Sequence, residues 1–316
     1  MDKVFNCEKI RKVGIITKRD IEPYIKVLKK IEKYFKGKKF EVIWDENSAR
    51  ALGKQKGYKK ERLLVLSDMA ITLGGDGTLL KTARRYPRKN IPILAVNLGT
   101  LGFLTETTED KMFDVLNKAF KNQCSLDRRS ILRITLYRKG KKHSTYLALN
   151  DVAINQGAFA RLIQIRVEIN QRLVNRFKAD GLIVSTPTGS TAHSLSAGGP
   201  IVHPHVTGII MTPICPVSLS MRSIVLPDNR QLTIFVETER RGGQAEEIGL
   251  TLDGQDVVAL EYGDEIKVRK SKRNMYLIRE GTRYYKVLRD KLNWGNSSAG
   301  AAANLATGTL YGLQLT

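Results

Sequence analysis

"MAITLGGDGTLLKTARRY", residues 69 to 86, decides how this chain is read. "MAITL" is a short apolar run that suits a buried strand, and "TLLKTARRY" (78 to 86) has the pattern of a helix. Between them Gly74, Gly75 and Gly77 surround one carboxylate, Asp76. Glycine adopts backbone angles that other residues resist and lets a ligand come close to the main chain. A strand running into a helix through such a turn is the building unit of a parallel α/β sheet. The turn itself has two readings: a phosphate-holding loop with a reactive acid in it, or a tight connection and nothing more.

The same alternation extends to both sides. "KVGIIT" (12 to 17) reads as a buried strand, followed by a helical face of Ile21, Tyr24, Ile25, Leu28, Ile31 and Phe35. "FEVIW" (40 to 44) and "IPILAVNLG" (91 to 99) are further strands, and "EDKMFDVLNKAF" (109 to 120) is a further helix. Strands alternating with helices imply a parallel, doubly wound sheet, here over residues 1–127. From about residue 130 the pattern changes: "LIQIRVEIN", "QLTIFVET" and "DEIKVRK" alternate with period two. "ILRITLYRKGKKHSTYLALNDVAIN" reads as two strands around a polar turn. Residues 128–275 are therefore expected to form a β-rich, sandwich-like domain, with 276–295 returning to the N-terminal one. The final stretch, 296–316, carries no charge and is assigned no chemistry.

Composition narrows the function. With 42% hydrophobic and 27% charged residues, the chain is expected to be a soluble globular protein of two domains. No apolar run reaches membrane-spanning length, and "MDKVFNCEKI" has no signal-like core, so a cytoplasmic protein is expected. Cys7, Cys124 and Cys215 are scattered and form no CxxC pair, suggesting neither disulfides nor zinc. The formal net charge of +22 attracts anions such as nucleic acid, acidic membrane surfaces or phosphorylated small molecules. The basic residues are spread along the chain and no nucleic-acid motif is present, so a solvated lysine-rich surface is the simpler reading.

Three constellations could carry chemistry. In the first, Gly74, Gly75, Gly77 and Thr78 open a helix whose backbone N–H groups would favour an anion. Asp76 would repel a phosphate there unless it takes a proton or holds a metal. The second is "ADGLIVSTPTGSTAHSLSAGGP" (179 to 200), where Ser190, Thr191, Ser194 and Ser196 offer short donors and acceptors suited to a nucleotide. A polar loop capping a helix is the plain alternative. The third consists of two polar pairs, Asn150 with Asp151 and Asp253 with Gln255, the latter also readable as a DG hairpin turn. His203 and His205 form an HxH without an evident partner ligand, so a structural role is expected and no protein metal site is assigned.

Taken in order, "GGDGTLL", "NLGTLGFLTE", "LNDVAI", "ADGLIVSTPTGSTAHSLSAGGPIVHP", "SIVLP" and "LDGQ" resemble the NAD kinases over roughly residues 11 to 290. The resemblance implies an ATP-dependent enzyme, with Mg²⁺ arriving on ATP, that phosphorylates the adenosine ribose 2′-hydroxyl of NAD to make NADP. It makes Asp76 the base, with Gly77 beside it at the nucleotide. It puts Lys81 and Arg161 at NAD phosphate or ribose, and Phe103 on the adenine side. Asn150 and Asp151 match the pair that holds ribose hydroxyls; Lys178 and Asp180 match positions near the nicotinamide, reaching across a subunit contact. Thr191, Ala192, His193, Ser194, Leu195 and Ser196 would bind adenine and ribose, and Gln255 would complete the site. A homodimer or homotetramer is implied, with no nucleic-acid or membrane partner, and polyphosphate is a possible second donor.

Three positions depart from the family's usual residues. Asp151 stands for a usual Glu and reaches one methylene less; His193 replaces Tyr; Lys178 replaces Arg and loses its bidentate fork. Other readings remain open at this level. A lipid kinase shares the glycine-rich loop, a non-catalytic NAD(P)-binding regulator shares the pocket, and a basic RNA-binding protein shares the charge.

Overall fold

The computed structural model describes residues 3–100, 102–156, 162–237, 248–281 and 284–295. Four parallel strands lie side by side in the order Glu41–Trp44, Lys12–Thr17, Met69–Gly74 and Pro92–Asn97. Successive side chains of a strand point to opposite faces. Val13, Ile15, Ile71, Leu73, Leu94 and Val96 therefore meet the helices Ile25–Phe35 and Met112–Phe120 on one side. Ile16, Ala70, Ile93 and Ala95 meet the helices Lys60–Leu66 and Asp76–Ala83 on the other. Helices on both faces make this half doubly wound.

The second half is antiparallel. Strand Glu265–Arg279 pairs with Ser125–Arg138 and with Gln231–Val236, while near its end Tyr276 and Leu277 run parallel to Pro92 and Ile93. One twelve-stranded sheet thus continues from the parallel strands into antiparallel ones. A second sheet orders Ile224–Pro227, Gly208–Ile214, Gly181–Ser185, Asp151–Asn155, Gly249–Leu252 and Asp256–Ala259. The two sheets share a core in which Ile134, Ile165, Ile234 and Ile266 meet Val152, Leu182, Val184 and Leu250.

Several elements differ from the sequence reading for physical reasons. The helix after the glycine turn begins at Asp76, not at Thr78, because Gly75 takes the extended N-cap position at φ −99° and ψ −170°. The expected two strands around a polar turn are followed by a third, Asp151–Asn155, in the other sheet; Asn150 stands where the chain crosses over. Strand Arg172–Ala179 has no visible period because only Phe177 and Ala179 are buried along it. No helix among the described residues is long and apolar enough to cross a membrane.

Candidate active site

Asp76 occupies the first turn of the helix Asp76–Ala83, at the carboxyl end of strand Met69–Gly74. Gly74 is required by close approach, since a Cβ there would lie 2.3 Å from Thr78 Oγ1. The Asp76 carboxylate points into the loop that follows strand Pro92–Asn97. Its Oδ2 accepts a hydrogen bond from Phe103 N at 2.8 Å, and its Oδ1 accepts from Thr105 N at 3.0 Å and Thr105 Oγ1 at 2.8 Å. Leu104 N lies 3.2 Å from Oδ1 and 3.3 Å from Oδ2. Thr105 Oγ1 in turn accepts from Asn97 Nδ2 at 2.8 Å, and the same amide nitrogen donates to the Thr100 carbonyl. Residues 97–100 and 102–105 thus gather around one carboxylate. Gly102 makes room for it: a Cβ would sit 2.0 Å from Asp76 Oδ1.

The other motifs converge on the same helix. Gln255 Nε2 donates to the Gly77 carbonyl at 3.2 Å, and its Oε1 accepts from Arg84 Nη1 at 3.0 Å. Arg84, at the end of that helix, also lies 3.8 Å from Asp253 and 2.9 Å from Asp256. The DG turn is a real hairpin, with Leu252 paired to Asp256 and both Asp253 and Gly254 at positive φ. Yet Asp253 does more than turn the chain. Its carboxylate accepts from Asn150 N at 2.8 Å, Leu149 N at 3.2 Å and Asp151 N at 3.3 Å. Opposite this crossing, Thr186 Oγ1 donates to the Leu149 carbonyl at 2.6 Å, and a Cβ on Gly189 would lie 2.2 Å from Asn150 O. Glycine loop, "LND", "TPTGST" and "DGQ" therefore form one continuous set of contacts.

Two of these acids are buried together. Asp151 is 2% exposed, and its Oδ1 has no hydrogen-bond partner among the described residues. Across the paired strands its register partner is Ser185, whose Oγ is also unpartnered. Burial, reinforced by the nearby Asp253 charge, pushes the Asp151 carboxyl up to about 7. Burial likewise raises Asp253 to about 6, against the lowering pull of the backbone N–H groups and Arg84.

The remaining candidates divide into those beside this junction and those away from it. Phe103 is half-buried and Lys81 exposed on the Asp76 helix. Thr191 and Ala192 are half-buried, His193 and Ser196 exposed, and Leu195 half-buried. Ser194 is fully buried, its hydroxyl 2.9 Å from Thr212 Oγ1. Lys178 is exposed on the edge strand Arg172–Ala179 of the twelve-stranded sheet, opposite Gln164, and Asp180 follows where the chain passes into the second sheet; Asp180 accepts from Gln156 Nε2 at 3.0 Å, next to the Gly181–Asn155 pair. Arg161 lies outside the described residues. Asn97, Thr105, Gly102 and Arg84 form no part of the sequence-derived site. Only the "NLGTLGFLTE" motif as a whole pointed to the first three.

Residues 13–124 match the model for the ATP-NAD kinase N-terminal domain, and residues 149–280 match that for the C-terminal domain. An NAD kinase of Geobacter sulfurreducens is 45% identical over 78% of this chain and 86% of its own length. One from Koribacter versatilis is 40% identical over 90% of this chain and 99% of its own. The chain belongs to the NAD kinase family. Among solved structures, yeast NADH kinase complexed with NADH aligns with a TM-score of 0.82 at 27% identity, over 91% of this chain and 89% of that one. An NAD kinase from Archaeoglobus fulgidus in complex with ATP aligns with a TM-score of 0.68 at 25% identity, over 88% and 97%. The matched NAD kinase segments contain both the glycine loop and the "DGQ" hairpin that contacts it.

Proposed function

We propose that this chain transfers the γ-phosphoryl group of ATP to the 2′-hydroxyl of the adenosine ribose of NAD, giving NADP and ADP. The observation that carries the reading is the "DGQ" hairpin: Gln255 holds the Gly77 carbonyl of the glycine loop while Asp253 holds the "LND" backbone, which Thr186 of "TPTGST" contacts in turn. In the transfer, the ribose oxygen attacks phosphorus as the bond to the β–γ bridging oxygen breaks, and the hydroxyl proton passes to Asp76. Such reactions have a loose transition state, so positioning outweighs basicity. That suits a carboxylate whose oxygens are already fixed by Phe103, Leu104 and Thr105.

The other roles follow from placement. Gly74, Gly75, Gly77 and Thr78 present the helix start to phosphate, with Lys81 one turn along the same helix. The unpartnered Asp151 Oδ1, beside Asn150, is the acceptor that a ribose hydroxyl would satisfy. Phe103 and the segment from Thr191 to Ser196 take the adenine side, where Ser194 contributes through its backbone because its hydroxyl is held by Thr212. Lys178 and Asp180 serve the nicotinamide end of a neighbouring subunit in a homodimer or homotetramer, and Arg161 completes the phosphate contacts. Mg²⁺ enters with ATP, held mostly by phosphate oxygens. The same reading places a cytoplasmic NADP-forming enzyme on two domains, 1–127 and 128–275, with 276–295 returning to the first.

A coupled assay of NADP formation, crossing NAD or NADH with ATP or polyphosphate and including diacylglycerol as an alternative acceptor, tests this. NADP formation from NAD and ATP is the expected result. Phosphorylation of diacylglycerol without NADP formation would overturn the proposal.

A further inference from the structure

The loop that holds Asp76 is itself held, from the opposite side, by a buried arginine. The peptide unit joining Leu104 to Thr105 donates its N–H to Asp76 Oδ1 at 3.0 Å. Its carbonyl, on Leu104, accepts from Arg279 Nη2, also at 3.0 Å. A trans peptide is planar, with N–H and C=O pointing in opposite directions, so fixing one end fixes the other. Arg279 is 6% exposed and sits at the end of the long strand Glu265–Arg279. Its guanidinium is oriented by carboxylates: Asp127 at 3.4 Å from Nε and Glu106 at 3.4 Å from Nη2. Asp127 is in turn gripped by Arg129, with Nε at 2.9 Å and Nη2 at 2.6 Å from Oδ2, and lies 3.1 Å from His205 Nε2. Burial alone would raise the Asp127 carboxyl, but Arg129, Arg279 and His205 outweigh it and hold it well below the usual range.

We infer that Arg279, anchored by Asp127 and Glu106, is a positioning residue that sets the plane of the Leu104–Thr105 peptide and so aims the Asp76 carboxylate. The inference rests on Asp76 being the proton acceptor. It also gives the HxH motif a place: His205 closes the anchor on Asp127, and His203 packs edge-on against Tyr284 with ring centroids 4.7 Å apart. A guanidinium suits the task because it presents several donors in a fixed plane, whereas an ammonium cannot meet two carboxylates and a carbonyl in those directions at once.

Arg279→Lys keeps the buried charge and tests the aim. Turnover per folded molecule should fall on the order of tenfold to a hundredfold, as for a small misplacement of a reacting group. KM for NAD and for ATP should stay within about twofold, because the loss is confined to the transition state. Native-state exchange of the Thr105 amide should accelerate more than that of core amides such as Ile71. Asp127→Asn is the companion variant, since it weakens the anchor while leaving the Leu104 contact. It should lower thermal stability, with a smaller loss of turnover. Unchanged turnover in Arg279→Lys, or losses in both variants that merely track stability, would overturn the positioning role. Normal turnover in Asp76→Asn would instead overturn the reading of Asp76 on which the inference rests.

Discussion

Asp76 could be picked out as an acid among glycines, but what surrounds it could not. Its partners lie about thirty residues on, and they are mostly backbone N–H groups, which every residue has. Gly102 is the trace they leave in the sequence, because no side chain fits beside the carboxylate. Gly102→Ala should therefore displace Asp76 and remove most turnover, with a melting temperature that falls far less than the activity; retained activity would show that the loop can yield. The acids Asp151 and Asp253 make a second residue-scale prediction. Asp151 has an ordinary value of 3.8 that burial and Asp253 push up to about 7 when folded. Between those limits the folded chain binds the proton more tightly than the unfolded one. The stability from this group is therefore full below about 4, falls as pH rises, and is lost above about 7. Asp127, lowered rather than raised, acts with the opposite sign and loses its contribution as pH falls below its ordinary value of 3.8. Asp151→Asn should flatten the decline in melting temperature between pH 4 and 7, and an unchanged slope would contradict the assignment.

At the scale of elements, the strand-turn-helix at 69–86 could be recognised because hydrophobic period and glycine punctuation agree there. The exposed edge strand Arg172–Ala179 could not, since an edge strand with five exposed residues in succession has no buried face to impose a period. The clasp between the Asp76 helix and the 249–259 hairpin was equally hidden. Arg84 reads as one basic residue among many, and its pairing with Asp253 and Gln255 spans about 170 positions of sequence. Its consequence is measurable. Arg84→Met leaves the buried Asp253 without its cation, and breaking a buried pair from one side costs roughly 3 kcal/mol at the lower end of the usual range. Urea unfolding should show that loss together with reduced turnover, because Gln255 then loses one of its two anchors. An effect confined to the surface-pair range, about 1 kcal/mol or less, would contradict the clasp.

Across the whole molecule, the order of the motifs identified the family, while the contacts among them depend on how two sheets face each other. Asn150, Thr186 and Asp253 are far apart along the chain and meet where it crosses from one sheet to the other. The net charge of +22 acts at this scale as well, raising the local concentration of anionic nucleotides. KM for NAD and ATP should therefore rise as added salt shortens the screening length from about 10 Å to about 3 Å, with turnover at saturation little changed. Salt-independent KM values would confine recognition to short-range contacts. On the mechanism proposed above, one carboxylate, held at the start of a glycine-capped helix, accepts the ribose proton. The most direct test is Asp76→Asn, with NADP formation and calorimetric NAD binding measured on the same preparation. Turnover should fall on the order of a hundredfold or more, with NAD affinity retained; equal turnover would contradict the role of Asp76 as base.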